Sequence, residues 1–426
     1  MRRIVILHEH EWLRDSFQQR RFGPAESELR TRETDGMRFM EEPAMPVPIM
    51  TPGREIRAAE SGFTTPLGHN YMMVAEFDTA EAEARFAATA SRDVEGIYAD
   101  PEIGPFPTVC PGNTAVGGVA DVSTQIMIGH VHAAGHKGQG VRLAIVDTGI
   151  DGGRVNVSGG LNLPGFPAPG VSPTDHGTMV AFDALIAAPN AMIFDYPLLK
   201  SGAGSGWIGF LSDAIRIYAE LLIQVLQVPG PLVAVNSWGM YDRKQDRPVG
   251  SPQNYSANPR HPFNQIVGSL VGAGADVVFA AGNCGSVCPS ARCGANDRGP
   301  GHSIHGANSH PDVISVAAVT HAGDLLGYSS EGPGGLHAQK PDVAATSHFT
   351  GSGVFPGPDS GTSAACPVAA GVVAALRSKP SARSIPPAAM KLALLNSASP
   401  PAGTAPGWNA QTGFGIVNAR AAHALV

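Results

Sequence analysis

Four residues far apart in the sequence, Asp147, His176, Asn283 and Ser363, have the types and settings that acyl transfer requires. Ser363 follows the turn-prone stretch Asp359-Ser-Gly and opens a run of small residues that predicts a helix with the serine in its first turn. Unpaired backbone N–H groups and the positive end of a helix dipole would face whatever that hydroxyl attacks. Pro367 sits close enough to the start to be tolerated, and Gly371, Ala374 and Ala375 leave little bulk, so the helix is expected to be central and tightly packed. A serine hydroxyl needs a base to take its proton, which a neutral imidazole supplies. The imidazole in turn needs a carboxylate to fix its tautomer, and an amide side chain can donate to the oxyanion of a tetrahedral intermediate.

The elements that would hold these residues alternate. Strands are predicted at 141–146, 191–196, 232–236, 277–281 and 313–319. Helices are predicted at 123–134, 177–188, 211–228, 264–273 and 388–397. Short apolar strands between helices imply an α/β three-layer sandwich with a mainly parallel central sheet. Such sheets bind ligands at the carboxyl ends of their strands. Asp147, Asn236-Ser237 and Asn283 all fall just past such ends, and His176 opens a helix. The order Asp…His…Ser is one of the orders in which triads occur.

The whole chain has 426 residues, 52 glycines and 43% hydrophobic residues, enough for a large core and more than one domain. A formal net charge of -7 argues against a nucleic-acid partner, and 6% aromatic residues argue against a stacking platform for single strands. No apolar run is long enough for a membrane span; the nearest, 208–228, carries Asp213, Arg216 and Glu220. Only four apolar residues follow Arg3 before polar residues return, too few for a secretory signal. Cytoplasmic synthesis is therefore expected, with non-classical export left open. Residues 1–104 carry more charge and predict a small α+β domain, with strands at 3–7, 71–77 and 94–98 and a helix capped by Asp78-Thr79 running to residue 91. Residues 41–61 read as a proline-rich loop, 105–118 as a linker or processing region, and 119–426 as the main domain.

Taken together, Asp147-Thr-Gly-Ile-Asp, His176-Gly-Thr-Met-Val-Ala, Ala280-Ala-Gly-Asn-Cys-Gly and Gly361-Thr-Ser-Ala-Ala-Cys-Pro resemble the motifs of the subtilisin-like serine peptidases, the subtilases. The likeness extends from about Ser123 to Ala424. It implies an endopeptidase with Ser363 as nucleophile, His176 as general base and then acid, and Asp147 as its orienter. Asn283 and the Ser363 backbone N–H would be the oxyanion donors. The same resemblance puts a polypeptide substrate, as an added β-strand, along Ser237-Trp238-Gly239 and Ala280-Ala281-Gly282, with Trp238 reshaping the cleft and His305 lining the first specificity pocket. Residues 71–103 are similar to the family's inhibitory propeptide, which implies a zymogen whose own N-terminal domain blocks the cleft. Cleavage would then fall between Pro105 and Val119. A narrow-specificity processing peptidase and a catalytically idle binding module are the alternatives.

No cofactor and no metal is expected. Only 28 residues separate Asp147 from His176, so calcium loops of some relatives look trimmed. Cys284, Cys288 and Cys293 with His302 and His305 nearby invite a zinc reading but lack a Cys-x₂-Cys pair. A loop disulfide or free thiols are the other states, depending on the redox compartment. His130, His132 and His136 read as the exposed side of a helix, and Cys366 as a small buried residue one turn from Ser363.

Overall fold

The computed structural model describes the chain except residues 19–22, 41–45, 50–69, 91, 106–109, 111–115 and 202–206. The N-terminal strands are β1 (Arg2–His8), β2 (Met37–Phe39), β3 (Val47–Ile49), β4 (Asn70–Phe77) and β5 (Val94–Ala99), followed by β6 (Glu102–Pro105). Then come β7 (Arg142–Asp147), β8 (Val157–Gly160), β9 (Met192–Pro197), β10 (Lys200–Ser201) and β11 (Trp207–Phe210). The rest are β12 (Leu232–Asn236), β13 (Trp238–Gly239), β14 (Asp276–Ala280), β15 (Ile314–Val319) and β16 (Val343–Thr346).

Seven strands form a parallel sheet in the order β16-β15-β14-β12-β7-β9-β8. Its central strands are apolar and fully buried because helices cover both faces. Alternate side chains divide between two cores, as a period of two requires. Leu143, Ile145, Val233 and Val235 meet the helices His176–Ala187 and Thr362–Arg377. Ala144, Val146, Leu232 and Ala234 meet Leu211–Gln227 and Pro262–Gly272. Gly371 lets the first two helices touch: a Cβ there would overlap the Ala184 carbonyl and lie 3.1 Å from the Ala187 methyl. The three-layer α/β expectation holds. One expected helix is divided, since 123–134 becomes Val119–Gln125 and Ile128–Ala133, broken at Met127 with φ 56°.

The N-terminal sheet runs β2-β4-β1-β5, antiparallel, with β3 on the same edge of β4 as β2. Val5, Leu7, Met73 and Phe77 pack on the domain's own Leu13, Leu29 and Phe86. The alternate residues Ile4, Ile6, Met72 and Val74 join the core formed by the Leu211 and Pro262 helices. The expected helix to residue 91 is Ala80–Thr89, capped by Thr79; residue 91 and most of 41–61 lie outside the described residues. Polar contacts surround this docking face. Asp100 accepts from Arg2 Nε at 2.6 Å and from Ser212 N at 2.9 Å, capping the Leu211 helix. Glu83 pairs with Arg3 at 3.1 Å and also with Arg247.

After Asp100 the chain leaves the domain as β6. It pairs antiparallel with β11 on one side (Gly209 with Ile103) and with β13 on the other (Gly239 with Gly104, Trp238 with Pro105). The expected processing region thus begins inside a docked strand at Pro105, while 106–109 and 111–115 lie outside the described residues.

Candidate active site

Asp147 ends β7 and His176 begins the next helix, so the parallel sheet brings them to one lip. His176 Nδ1 lies 2.7 Å from Asp147 Oδ1, and Thr148 N donates to the same oxygen at 2.7 Å. Both side chains are fully buried. The helix start is fixed by Asp175, whose carboxylate accepts from His176 N at 2.8 Å and from Trp207 Nε1 at 2.7 Å. Gly177 is required there, since a Cβ would stand 2.5 Å from the Gly149 carbonyl. Its N–H donates to Thr148 Oγ1 at 2.8 Å.

Ser363 opens the Thr362–Arg377 helix after Gly361, whose φ of 77° suits glycine. Its Oγ donates to the Ser237 carbonyl at 3.1 Å, and Ser237 Oγ donates back to the Ser363 carbonyl at 3.0 Å. His176 Nε2 is buried and has no hydrogen-bond partner among the described residues. The structure therefore joins Asp147 to His176 and Ser363 to Ser237 but does not close a bond between His176 and Ser363.

Asn283 Oδ1 accepts from Thr362 N at 2.9 Å and Thr362 Oγ1 at 3.0 Å. This commits the acceptor end of the amide to the Ser363 helix. Thr362 Oγ1 also accepts from Gly282 N at 3.1 Å, tying the strand end to the same turn. Behind the site, Asp183 on the His176 helix is wholly buried. Desolvation, then the nearby Asp359, hold its carboxyl well above the usual range. Burial pushes the Cys366 thiol up to about 12, so it is no second nucleophile.

The expected substrate-binding residues fare unevenly. Gly239 and the Trp238 backbone lie against β6. The Trp238 side chain does not reshape the cleft: it is fully buried, packs on Phe263 and Phe279, and donates from Nε1 to Val146 O at 2.8 Å. A large apolar ring with one polar atom found its partner inside the core. Ala280 O is taken by Asn308 Nδ2 at 2.9 Å and Ala281 N by Val316 O at 2.9 Å, so 280–282 is not the second edge paired with β6. That edge is β11, which no sequence motif marks. His305 is buried with Nε2 3.6 Å from Asp297 Oδ1, and burial pushes it down to about 4.

Two further residues escaped the sequence reading. Thr362, orienting Asn283, was hidden inside the serine motif. Tyr241 donates from its OH to Pro105 O at 2.8 Å. The cysteines resolve as Cys284–Cys293 and Cys110–Cys288, with Cys366 free and buried. The loop disulfide was among the expected states; the tie to Cys110, 178 residues away, was not. Among the described residues no His/Cys/Asp/Glu group could hold a metal ion, and no helix is long and apolar enough to cross a membrane.

Residues 138–415 match the subtilase family, Peptidase S8. Subtilisin of Bacillus pumilus is 27% identical over 268 residues, covering 60% of this chain and 83% of that protein. Subtilisin E of Bacillus subtilis (strain 168) is likewise 27% identical over 268 residues, 60% of each chain. A solved structure of a cold-adapted subtilisin-like serine proteinase aligns over 66% of this chain and 90% of its own, with 19% identity and a TM-score of 0.49.

Proposed function

The chain belongs to the subtilase family of serine endopeptidases, and from that premise we propose that Ser363, His176 and Asp147 cut polypeptides through an acyl-enzyme. In this reading Ser363 Oγ exchanges the Ser237 carbonyl for His176 Nε2 by a side-chain rotation and attacks the scissile carbonyl. His176 takes the proton while Asp147 holds its Nδ1–H and stabilises the imidazolium. Asn283 Nδ2 and the Ser363 N–H receive the oxyanion. His176 then protonates the leaving amine, and water repeats the sequence to release the acid. The 2.7 Å Asp147–His176 bond at the lip that also carries Ser363 is the observation behind this assignment.

The full chain is a self-inhibited zymogen in the same reading. β6 lies between β11 and β13 as an added strand, the mode in which a polypeptide substrate would be held. Residues 1–104 are then the inhibitor and folding aid, 105–118 the processing region, and 119–426 the peptidase. Two disulfides favour an oxidising setting for the folded protein. A cut beyond Cys110 would leave the N-terminal domain tethered through Cys288 until reduction.

Ser363→Ala tests this. Casein hydrolysis should fall by several orders of magnitude, and reducing gels should show the variant uncut between Pro105 and Val119 while the wild type is clipped there. A variant clipped at the same place during clean expression would refute self-processing.

A further inference from the structure

β6 passes beneath the side chain of Arg292. Arg292, exposed on the loop that Cys284–Cys293 closes, lays its guanidinium 4.4 Å from the centre of the Tyr241 ring. Tyr241 in turn holds Pro105 O. The strand places Gly104 under this guanidinium, and a Cβ there would overlap it, 2.2 Å from Nη2 and 2.7 Å from Cζ, so any side chain at this level must shift the flexible tip of Arg292. A side chain leaving the strand at this level is therefore aimed at the cation. Its cross-strand neighbour is Gly239, so β13 adds no side chain at that level. Arg243 and Lys244 nearby are taken by Asp297 and Asp242, whereas no carboxylate among the described residues pairs with Arg292.

We infer that Arg292 is a specificity-determining residue, reading the substrate side chain opposite Gly239 and favouring a carboxylate there. This rests on the reading of β11 and β13 as the substrate channel. Glycine at 104 lets the chain's own strand pass without displacing the guanidinium. Arg292 Nη2 donates to Trp207 O at a long 3.5 Å; a substrate aspartate or glutamate would give the guanidinium a carboxylate partner, while lysine or arginine would meet a like charge. The order of preference at this position is acidic, then glycine, then basic.

Hydrogen exchange on the full chain tests the inference without needing turnover. In a Ser363→Ala background, Gly104→Asp and Gly104→Lys are compared with Arg292 intact and with Arg292→Glu, following the backbone amides of Ile103 and Gly239. With Arg292 intact the Gly104→Asp chain should exchange about tenfold more slowly than the Gly104→Lys chain, and Arg292→Glu should reverse that order. The same order in both backgrounds, or equal rates, overturns it. Because the experiment involves no acylation, a reversal found alongside a Ser363-containing chain that lacks peptidase activity would refute the catalytic reading alone.

Discussion

The two parts of the molecule that meet at β6 are held by different forces. In the catalytic part, two of the polar side chains at the lip are each held through one oxygen that accepts two hydrogen bonds. Asp147 Oδ1 accepts twice and Asn283 Oδ1 accepts twice. In the N-terminal part, one face of the sheet is buried by its own helices and the other by helices of the catalytic part. Burying each of Ile4, Ile6, Met72 and Val74 contributes about 1.5–3 kcal/mol. The ion pairs of Arg2 and Arg3 add orientation. Geometry at the lip is thus set by hydrogen bonds, and the cover over it by apolar area. Damage to the first should lower the activity of the full chain; damage to the second should raise it.

The largest expected effect is on the catalytic side. Asn283→Leu removes the proposed side-chain oxyanion donor and should reduce kcat roughly 10²- to 10³-fold, a span measured on a subtilisin. It also orphans two Thr362 donors, costing about 1–3 kcal/mol in urea unfolding. A variant that kept its kcat would break the contrast at its strongest point.

A smaller effect is expected where the parts touch through His261. Its Nε2 donates to Ala99 O at 2.9 Å, its Nδ1 accepts from Phe263 N at 3.3 Å, and the Tyr98 and Tyr255 rings enclose it. Burial pushes its pKa down to about 4, against about 6.5 in the unfolded chain. Between those values the unfolded chain binds the proton and the folded chain does not. Stability therefore falls as pH drops from 6.5 towards 4, by up to about 3 kcal/mol. His261→Gln should flatten that part of the urea-midpoint curve; an unchanged slope would remove His261 from the interface account.

Legibility in the sequence followed the same division. The parallel strands were readable because each is a short apolar run ended by a polar residue. β7 at Arg142–Asp147 and β9 at Met192–Pro197 fall within a residue or so of expectation. Asp147, His176, Asn283 and Ser363 stood out because turn and cap chemistry surrounds each of them. The N-terminal part was harder. The helices Glu11–Gln18 and Gly23–Arg30 and the three-residue strands β2 and β3 are too short to show a period. Tertiary choices left no local trace at all. Trp238 turned inward to reach Val146 O, Met127 took a left-handed turn without glycine, and Cys288 paired across 178 residues. β6 was invisible for the same reason, since its partners come from two other loops.

The most direct measurement is the rate at which a fluorophosphonate labels the full-length chain, with the labelled residue identified by peptide mapping. Arg2→Ala, which removes the guanidinium bonded to both Asp100 and Ser212 at the docking face, serves as the loosened comparison. The account predicts labelling at Ser363, slow in the wild type and about tenfold faster in Arg2→Ala. Label on another residue, or equal rates in the two proteins, would contradict it.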